Sequence, residues 1–439
     1  MNNENTTENL YSCFLEHNSG DDVSWPLCAV ELSSPMYAAK DSETCWRRSN
    51  IANTLTPQQY CDPLSDNNIF YFTTPRNRTL PDNSTKTQSA DSVILVVARL
   101  DALNIFDKEE VGFDSPSTGI VTLISAAKAV SRELRKREYK NQVENVLFLL
   151  VHGESFDYIG STRAVYDMMS DSFPFNLTED LKSGKMFSNG TQPLLSIENI
   201  RVIIELGQLS NRISNDVWAH TANLGSYIED ALRVLRKTVS VKTSTGKYLP
   251  PASSQSFLKE RETIPVLMLT NYNQQFSNSY YHSIYDNAVV NNYNYSLGEQ
   301  QAVVQHLSSL GAAVASAVVF LAAAEEIVVE KDDKFVNELL HCYTETANCS
   351  LFKEASSLNG YPWTGVVQDF PFPQYISVHT SYHTLLTTQI LQYSTGEIVQ
   401  DTREKDCSEE TPPNLEEEKI KSVYQSCILL FLMRQSITQ

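Results

Sequence analysis

Positive charge is scarce in this chain. Over 439 residues, 34 Lys and Arg stand against 53 Asp and Glu, a formal balance of 34 − 53 = −19. That deficit argues against nucleic acid and against anionic lipid surfaces as partners, and it leaves a soluble surface that tolerates cationic ligands. A hydrophobic run long enough to span a bilayer is also missing. The longest, Leu310 to Ala324, is rich in Ala, is followed by Glu325 and Glu326, and reads as a buried helix; the run Cys427 to Met433 is shorter still. Residues 1 to 12 are polar and show no signal-peptide core, so the expectation is a fragment whose targeting and anchoring ends lie elsewhere. There is no Cys-x-x-Cys, no zinc-finger spacing of Cys and His and no internal repeat, which argues against structural zinc.

An apolar content of 41%, with 10% aromatic residues, excludes wholesale disorder, and the length accommodates a large domain with an appendage. The eight cysteines are even in number and clustered, which suggests disulfides. Sequential pairing, Cys13–Cys28 and Cys45–Cys61, would close loops of about 15 residues, each contributing about 3 kcal/mol in the chain-entropy model. The other two pairings of these four cysteines stay open at this stage. Cys342–Cys349 is a candidate that requires a turn between the two, because seven residues of helix are too long for the bridge. Cys407–Cys427 is a candidate terminal staple. Glycosylation acceptors occur at Asn5, Asn77, Asn83, Asn176, Asn189, Asn294 and Asn348. Seven of them, together with the cysteines, point to a secretory or extracellular chain.

Strands are expected at 92–99, 146–151, 202–206 and 265–270, and helices at 118–138, 228–238, 253–261 and 300–326. Ser161 is the expected cap of a further helix through Ala164, Val165, Met168 and Met169. Alternation of strand and helix predicts an α/β fold with a mainly parallel sheet covered on both faces. Four segments are expected: 1–74 carrying four cysteines, a linker at 75–91, the α/β body at 92–330, and a β-rich extension at 331–439 with strands at Tyr375–His379 and Leu386–Tyr393.

Ligands of open α/β sheets bind beyond the carboxyl ends of the strands. The polar groups there are Arg99 and Asp101 after the first strand, Glu154, Asp157 and Tyr158 after the second, Glu205 in the third, and His282 after the fourth. Their order resembles the two-zinc aminopeptidase family. The resemblance implies a three-layer sandwich, and it maps that family's metal positions onto Arg99, Asp101, Pro116, Ser155, Glu205 and His282. Arg99 replaces a ligand His with a fixed positive charge. Pro116 stands at the bridging carboxylate, with Asp114 nearby but out of register, and Ser155 replaces a Glu. Glu154 keeps the general-base position. A two-metal centre needs a bridging carboxylate and further donors on each ion, so the implied domain is a peptidase fold with no metal, no cofactor and no catalytic residues.

A more specific resemblance covers the chain from about residue 8 onward. It rests on Cys45-Trp-Arg-Arg-Ser49, Cys61-Asp-Pro-Leu-Ser-Asp66, Gly153-Glu-Ser-Phe-Asp-Tyr-Ile-Gly-Ser161, Glu205-Leu-Gly-Gln208, Leu249-Pro-Pro251 and Tyr280-Tyr-His-Ser-Ile-Tyr-Asp286. These residues resemble the nicastrin family, glycosylated ectodomain subunits of the γ-secretase intramembrane protease. The Asp157, Tyr158, Ile159, Gly160, Ser161 run is that family's characteristic motif. The resemblance implies that residues 1–74 are the remnant of a small lobe, and that presenilin and two smaller membrane subunits are partners. It also implies recruitment or steric gating of the N-terminal stubs of type I membrane proteins, with Glu154 and Tyr158 in contact with substrate. The implied setting is the lumenal or extracellular part of a single-pass type I protein of the endoplasmic reticulum, Golgi, plasma membrane and endosomes. The alternatives are a purely structural assembly subunit and an active zinc aminopeptidase.

Overall fold

Strand β2, Val93–Arg99, is apolar on both faces because it lies in the middle of a sheet covered on both sides. The protein is described from a computed structural model covering residues 4–17, 64, 66–73, 92–103, 112–136, 144–170, 173, 195–358, 369–376 and 381–396. Two compact units are present, residues 1–62 with Gln439, and residues 63–438. The first contains helix α1 (Glu4–His17). The second runs β1 (Ile69–Phe72), β2, α2 (Thr118–Lys136), β3 (Asn145–Val151), α3 (Ile159–Met169), β4 (Ile200–Leu206), β5 (Val217–Ala222), α4 (Ser226–Leu235) and β6 (Val241–Thr243). It continues with α5 (Ser254–Glu260), β7 (Val266–Thr270), α6 (Ala302–Ala323), α7 (Asp333–Thr344), α8 (Ser350–Leu358) and α9 (Tyr382–Thr395).

The sheet order is β1-β3-β2-β4-β7-β5-β6. Strands β3, β2, β4 and β7 are parallel, β1 is antiparallel to β3, and β5 is antiparallel to β7 but parallel to β6. Strand parity divides the core. Ile94, Val96, Ala98, Val146, Phe148 and Leu150 pack with α2, α4 and α6, whereas Val93, Leu95, Val97, Leu147, Leu149 and Val151 pack with α3 and α5. A register shift sets Val93 against Ile200 and Ile94 against Val202, so Arg201 bulges out to solvent and the parity of β4 is restored beyond it. Arg99 and Glu205 therefore project toward the α3/α5 layer at the carboxyl edge. Helix α6 is long and apolar enough to cross a bilayer by length and composition, yet most of its side chains are buried in the core.

The three-layer α/β sandwich with a mainly parallel sheet matches the expectation, and the expected strands and helices of residues 92–326 are present within a few residues. Three parts differ. Ile69–Phe72, expected within the segment 1–74, is a strand of this sheet in a unit that begins at Pro63; the expected linker at 75–91 lies outside the described residues. The described residues of the C-terminal part are helical rather than β-rich. Leu386–Tyr393 lies inside α9, where Thr387 and Thr388 turn their hydroxyls onto the carbonyls of His383 and Thr384. The β-branched residues imitate a strand, and burial all round the helix erases the polar face that would reveal a 3.6-residue period. Tyr375 and Ile376 are not in a strand, and 377–380 lie outside the described residues. Helices α7 and α8 were not anticipated.

The Cys342–Cys349 disulfide is present, with Cα atoms 5.4 Å apart, across the turn between α7 and α8. Cys13 is disulfide-bonded, to a partner outside the described residues. The other three pairings proposed from the sequence involve Cys28, Cys45, Cys61, Cys407 and Cys427, all likewise outside them. Among the acceptor asparagines, Asn294 and Asn348 are exposed; the Asn348 amide donates to Asp369 at 3.0 Å. The Asn5 side chain and Asn77, Asn83, Asn176 and Asn189 are outside the described residues.

One glycine fixes how the motif helix meets the sheet. A Cβ on Gly160 would lie 2.1 Å from the His152 carbonyl oxygen and 2.8 Å from the His152 nitrogen. We predict that Gly160→Ala lowers stability by about 3 kcal/mol, the upper part of the overpacking range. Gly225→Ala, where nothing lies within 4 Å of the added atom, should cost less than about 1 kcal/mol. Denaturant melts of the two variants check this, and equal midpoints would contradict it.

Candidate functional site

The strand ends place Arg99, Asp101, Glu154, Glu205 and His282 around one rim, as the sequence order implied. The geometry shows what each does. The Asp101 carboxylate, fully buried, accepts from the backbone N–H of Glu154 at 2.9 Å and of Ser155 at 2.8 Å, closing the turn after β3. Burial opposes its ionisation, but the Arg99 charge, His152 and the Ser155 amide outweigh it and hold its pKa below the usual value. Glu205, 5% exposed, accepts from the N–H of Ser253 at 2.8 Å and of Ser254 at 2.9 Å, at the start of α5. Burial raises its pKa against those hydrogen bonds.

Glu154 is 3% exposed and does the same for α3. Its Oε1 accepts from the Ser161 N–H at 2.7 Å, and its Oε2 from the Ser161 hydroxyl at 3.0 Å. That hydroxyl also meets Ser256 Oγ at 2.9 Å, linking α3 to α5. Ser161 is therefore not the helix cap expected from the sequence. The cap position is Tyr158, and Glu154 supplies the carboxylate that satisfies a first-turn amide. Burial, with the nearby Asp101 charge adding to it, pushes the Glu154 carboxyl up to about 7, against hydrogen bonds from Ser253 and Ser161 and the pull of Arg99.

Arg99 holds the rim's positive charge. Its Nη1 donates to the Tyr281 hydroxyl at 2.9 Å and its Nη2 to Ser155 Oγ at 2.8 Å, with Asp101 4.0 Å away. Burial works against the charge, but Asp101, Tyr281 and Glu154 more than offset it. His282 turns its Nδ1 to accept the Leu103 N–H at 3.0 Å. Burial and the repulsion of Arg99 depress its pKa to about 4, so it is neutral at physiological pH.

Asp157 and Tyr158 both adopt left-handed backbone, at φ 55° and 61°, a conformation uncommon for a bulky residue such as Tyr. It turns the chain sharply into α3, leaving Asp157 exposed and Tyr158 half-buried. Burial raises the Tyr158 phenol to about 12, so it stays a neutral hydroxyl. Asp114 and Pro116 lie in the turn at 113–117. There Asp114 accepts from the Ser210 N–H at 2.8 Å and from Asn271 at 2.9 Å, while its own N–H donates to Asp286. Burial and the Asp114 charge raise Asp286 to about 7.

The sequence reading missed Tyr281, Ser253, Ser254 and Ser256. Tyr281 adjoins His282 in a stretch already singled out, and the serines follow the Pro250-Pro251 break that announces a helix start.

A two-zinc centre does not fit this donor set. Arg99 cannot lose its charge, Asp101 and Glu205 each have both oxygens committed to backbone amides, and His282 Nδ1 is occupied. Among the described residues, no three of His, Cys, Asp and Glu are grouped to hold a metal.

Two predictions follow from these hydrogen bonds. Glu205→Ala leaves the Ser253 and Ser254 amides without acceptors and should cost about 1–3 kcal/mol in a denaturant melt. Glu154→Gln keeps an acceptor for Ser161 and removes the ionisation. Because the folded pKa is raised, the cost of the charge is absent below about pH 4.5 and complete above about pH 7. The stability of Glu154→Gln relative to the parent should therefore rise with pH across that window, and a pH-independent difference would contradict the assignment.

Three comparisons bear on the family. Residues 92–325 match the family model described as the nicastrin large lobe. The chain is 31% identical over 440 residues to nicastrin of Mus musculus and 30% identical over 441 residues to nicastrin of Homo sapiens. Each alignment covers 92% of this chain and 57% of the relative, so the chain spans a little over half the length of these relatives. The crystal structure of the gamma-secretase component nicastrin superposes with a TM-score of 0.57 at 22% identity, covering 77% of this chain and 57% of that one. With more than half of its length matched by the family model, the chain belongs to the nicastrin family.

Proposed function

We propose that this chain is the lumenal or extracellular part of a non-catalytic subunit of a γ-secretase-type intramembrane protease. In this reading it assembles with presenilin and the other membrane subunits and takes part in selecting the N-terminal stubs of type I membrane proteins. Family membership supports the complex. The observation that carries the non-catalytic reading is Arg99, a permanent cation hydrogen-bonded to Ser155 and Tyr281 in the middle of the rim. Arg99→His should not restore zinc, and stoichiometric metal by mass spectrometry in that variant would overturn the reading.

In the recruiting role, the half-buried Tyr158 offers a hydroxyl and an aromatic face to an incoming peptide, with Glu154 supplying the negative field behind it. A purely structural role has its own support, since both Glu154 oxygens are committed to Ser161. The full-length protein carrying Tyr158→Ala or Glu154→Gln, expressed with the other subunits, separates the two. Recruitment predicts normal assembly and reduced capture of a truncated substrate. Lost assembly, or unchanged capture by both variants, would favour the structural role.

A further inference from the structure

Two of the glycosylation acceptors stand on turns that share one carboxylate. Asn294 opens the triplet Asn294-Tyr295-Ser296 ahead of α6, and Asn348 opens Asn348-Cys349-Ser350 between α7 and α8. On α7, Glu338 accepts the Tyr295 hydroxyl with Oε1 and the Ser350 hydroxyl with Oε2, the latter at 2.9 Å. Both asparagines are exposed, yet they differ as acceptors.

The Asn294 triplet is open. Asn294 Oδ1 accepts the Ser296 N–H at 2.9 Å and the Ser296 hydroxyl at 2.6 Å, an Asx turn that fixes which end of the amide is oxygen. Nδ2, the atom a glycan joins, has no acceptor among the described residues. In the Asn348 triplet every side chain is taken. Asn348 Nδ2 donates to Asp369 at 3.0 Å, Ser350 donates to Glu338, and Cys349, 2% exposed, is bonded to the fully buried Cys342. The Lys353 N–H meets the Cys349 carbonyl at 3.4 Å, so the triplet already enters the first turn of α8. Exposed hydrogen bonds exchange with water at little net cost. The disulfide is covalent, and it is what holds this triplet in place.

We propose that closure of Cys342–Cys349 withdraws Asn348 from glycosylation, so that the order of two reactions on the nascent chain decides whether the α7–α8 turn carries a glycan. The inference rests on the secretory setting of the proposed function. In one reaction Asn348 Nδ2 displaces the diphosphate from the anomeric carbon of a polyprenyl diphosphate oligosaccharide. An N–C bond forms, a C–O bond breaks and one amide proton is released. In the other, the two thiols give two electrons and two protons to a protein disulfide, which leaves as a dithiol. The cysteines are seven residues apart and straddle the acceptor, so both reactions become available together. A loop of this size closes within about 100 ns, which leaves the oxidant rather than chain motion to set the pace.

The test is site occupancy in the full-length protein synthesised in the secretory pathway of cultured cells. Glycans are removed enzymatically in heavy-oxygen water, which labels each formerly glycosylated asparagine for peptide mass spectrometry. The whole cellular pool is read, so export is not required. The parent should carry glycan on Asn294 in nearly every molecule and on Asn348 in a minority. Cys342→Ala leaves the triplet intact, and should raise the Asn348 fraction about twofold or more without moving Asn294. Phe352→Ala removes a core side chain of α8 but keeps both cysteines, and should leave Asn348 as in the parent. Full Asn348 occupancy in the parent, or an unchanged fraction in Cys342→Ala with Asn294 filled, would overturn the competition alone. An equal rise in Phe352→Ala would assign the effect to lost folding and overturn it too. No glycan on Asn294 would reject the secretory setting, and the proposal with it.

Discussion

A carboxylate taken out of water must find hydrogen-bond donors, and here the donors are backbone amides. Asp101 takes two at the turn after β3, Glu205 two at the start of α5, Glu154 one in the first turn of α3, and Asp114 one in the loop after β4. Each acid closes a segment that leaves or approaches the sheet's carboxyl edge. The edge is held by this exchange, in which side chains of one strand end satisfy the main chain of the next element. Removing an acid leaves amides without acceptors as well as deleting a charge.

Arg99 completes the electrostatics. The Asp101 charge adds to the cost of ionising Glu154, and a single guanidinium offsets part of that repulsion while bonding to Ser155 and Tyr281. Its effect is graded by position. Asp101, its ion-pair partner, keeps a depressed pKa, whereas Glu154 and Glu205 are raised by burial despite its pull. His282 on the same rim is pushed toward neutrality by the same charge. A rim that resembles a metal site in residue order thus has the charge pattern of a structural lock.

Much of this was legible in the sequence. Buried parallel strands announce themselves as unbroken apolar runs, so β2, β3, β4 and β7 were readable, and with them the residues at their ends. Arg99 was readable as a fixed positive charge standing where a ligand His would be, because its charge does not depend on context. What the sequence did not show is where each carboxylate bonds. The acceptors of the Ser161, Ser253 and Ser254 amides are set by tertiary approach. The short strands β1, β5 and β6 were missed because pairing partners rather than local pattern define them, and α9 was missed because Thr387, Thr388 and Ile390 give it the composition of a strand.

Strand β1 has a consequence for the order of assembly. Its four residues pair with β3 across some eighty positions, Ile69 opposite Leu150 and Phe72 opposite Leu147. Closing so long a loop for so few ladder bonds is entropically unrewarding until β3 already stands in the sheet. Asn68, just ahead of the strand, then bonds His152 and Gly160, both of which exist in place only after the β3-to-α3 turn has formed. The amino-terminal edge of this unit is therefore a late addition. During synthesis β1 waits for β3, and until it docks the outer edge of β3 is open to pairing with a neighbouring chain.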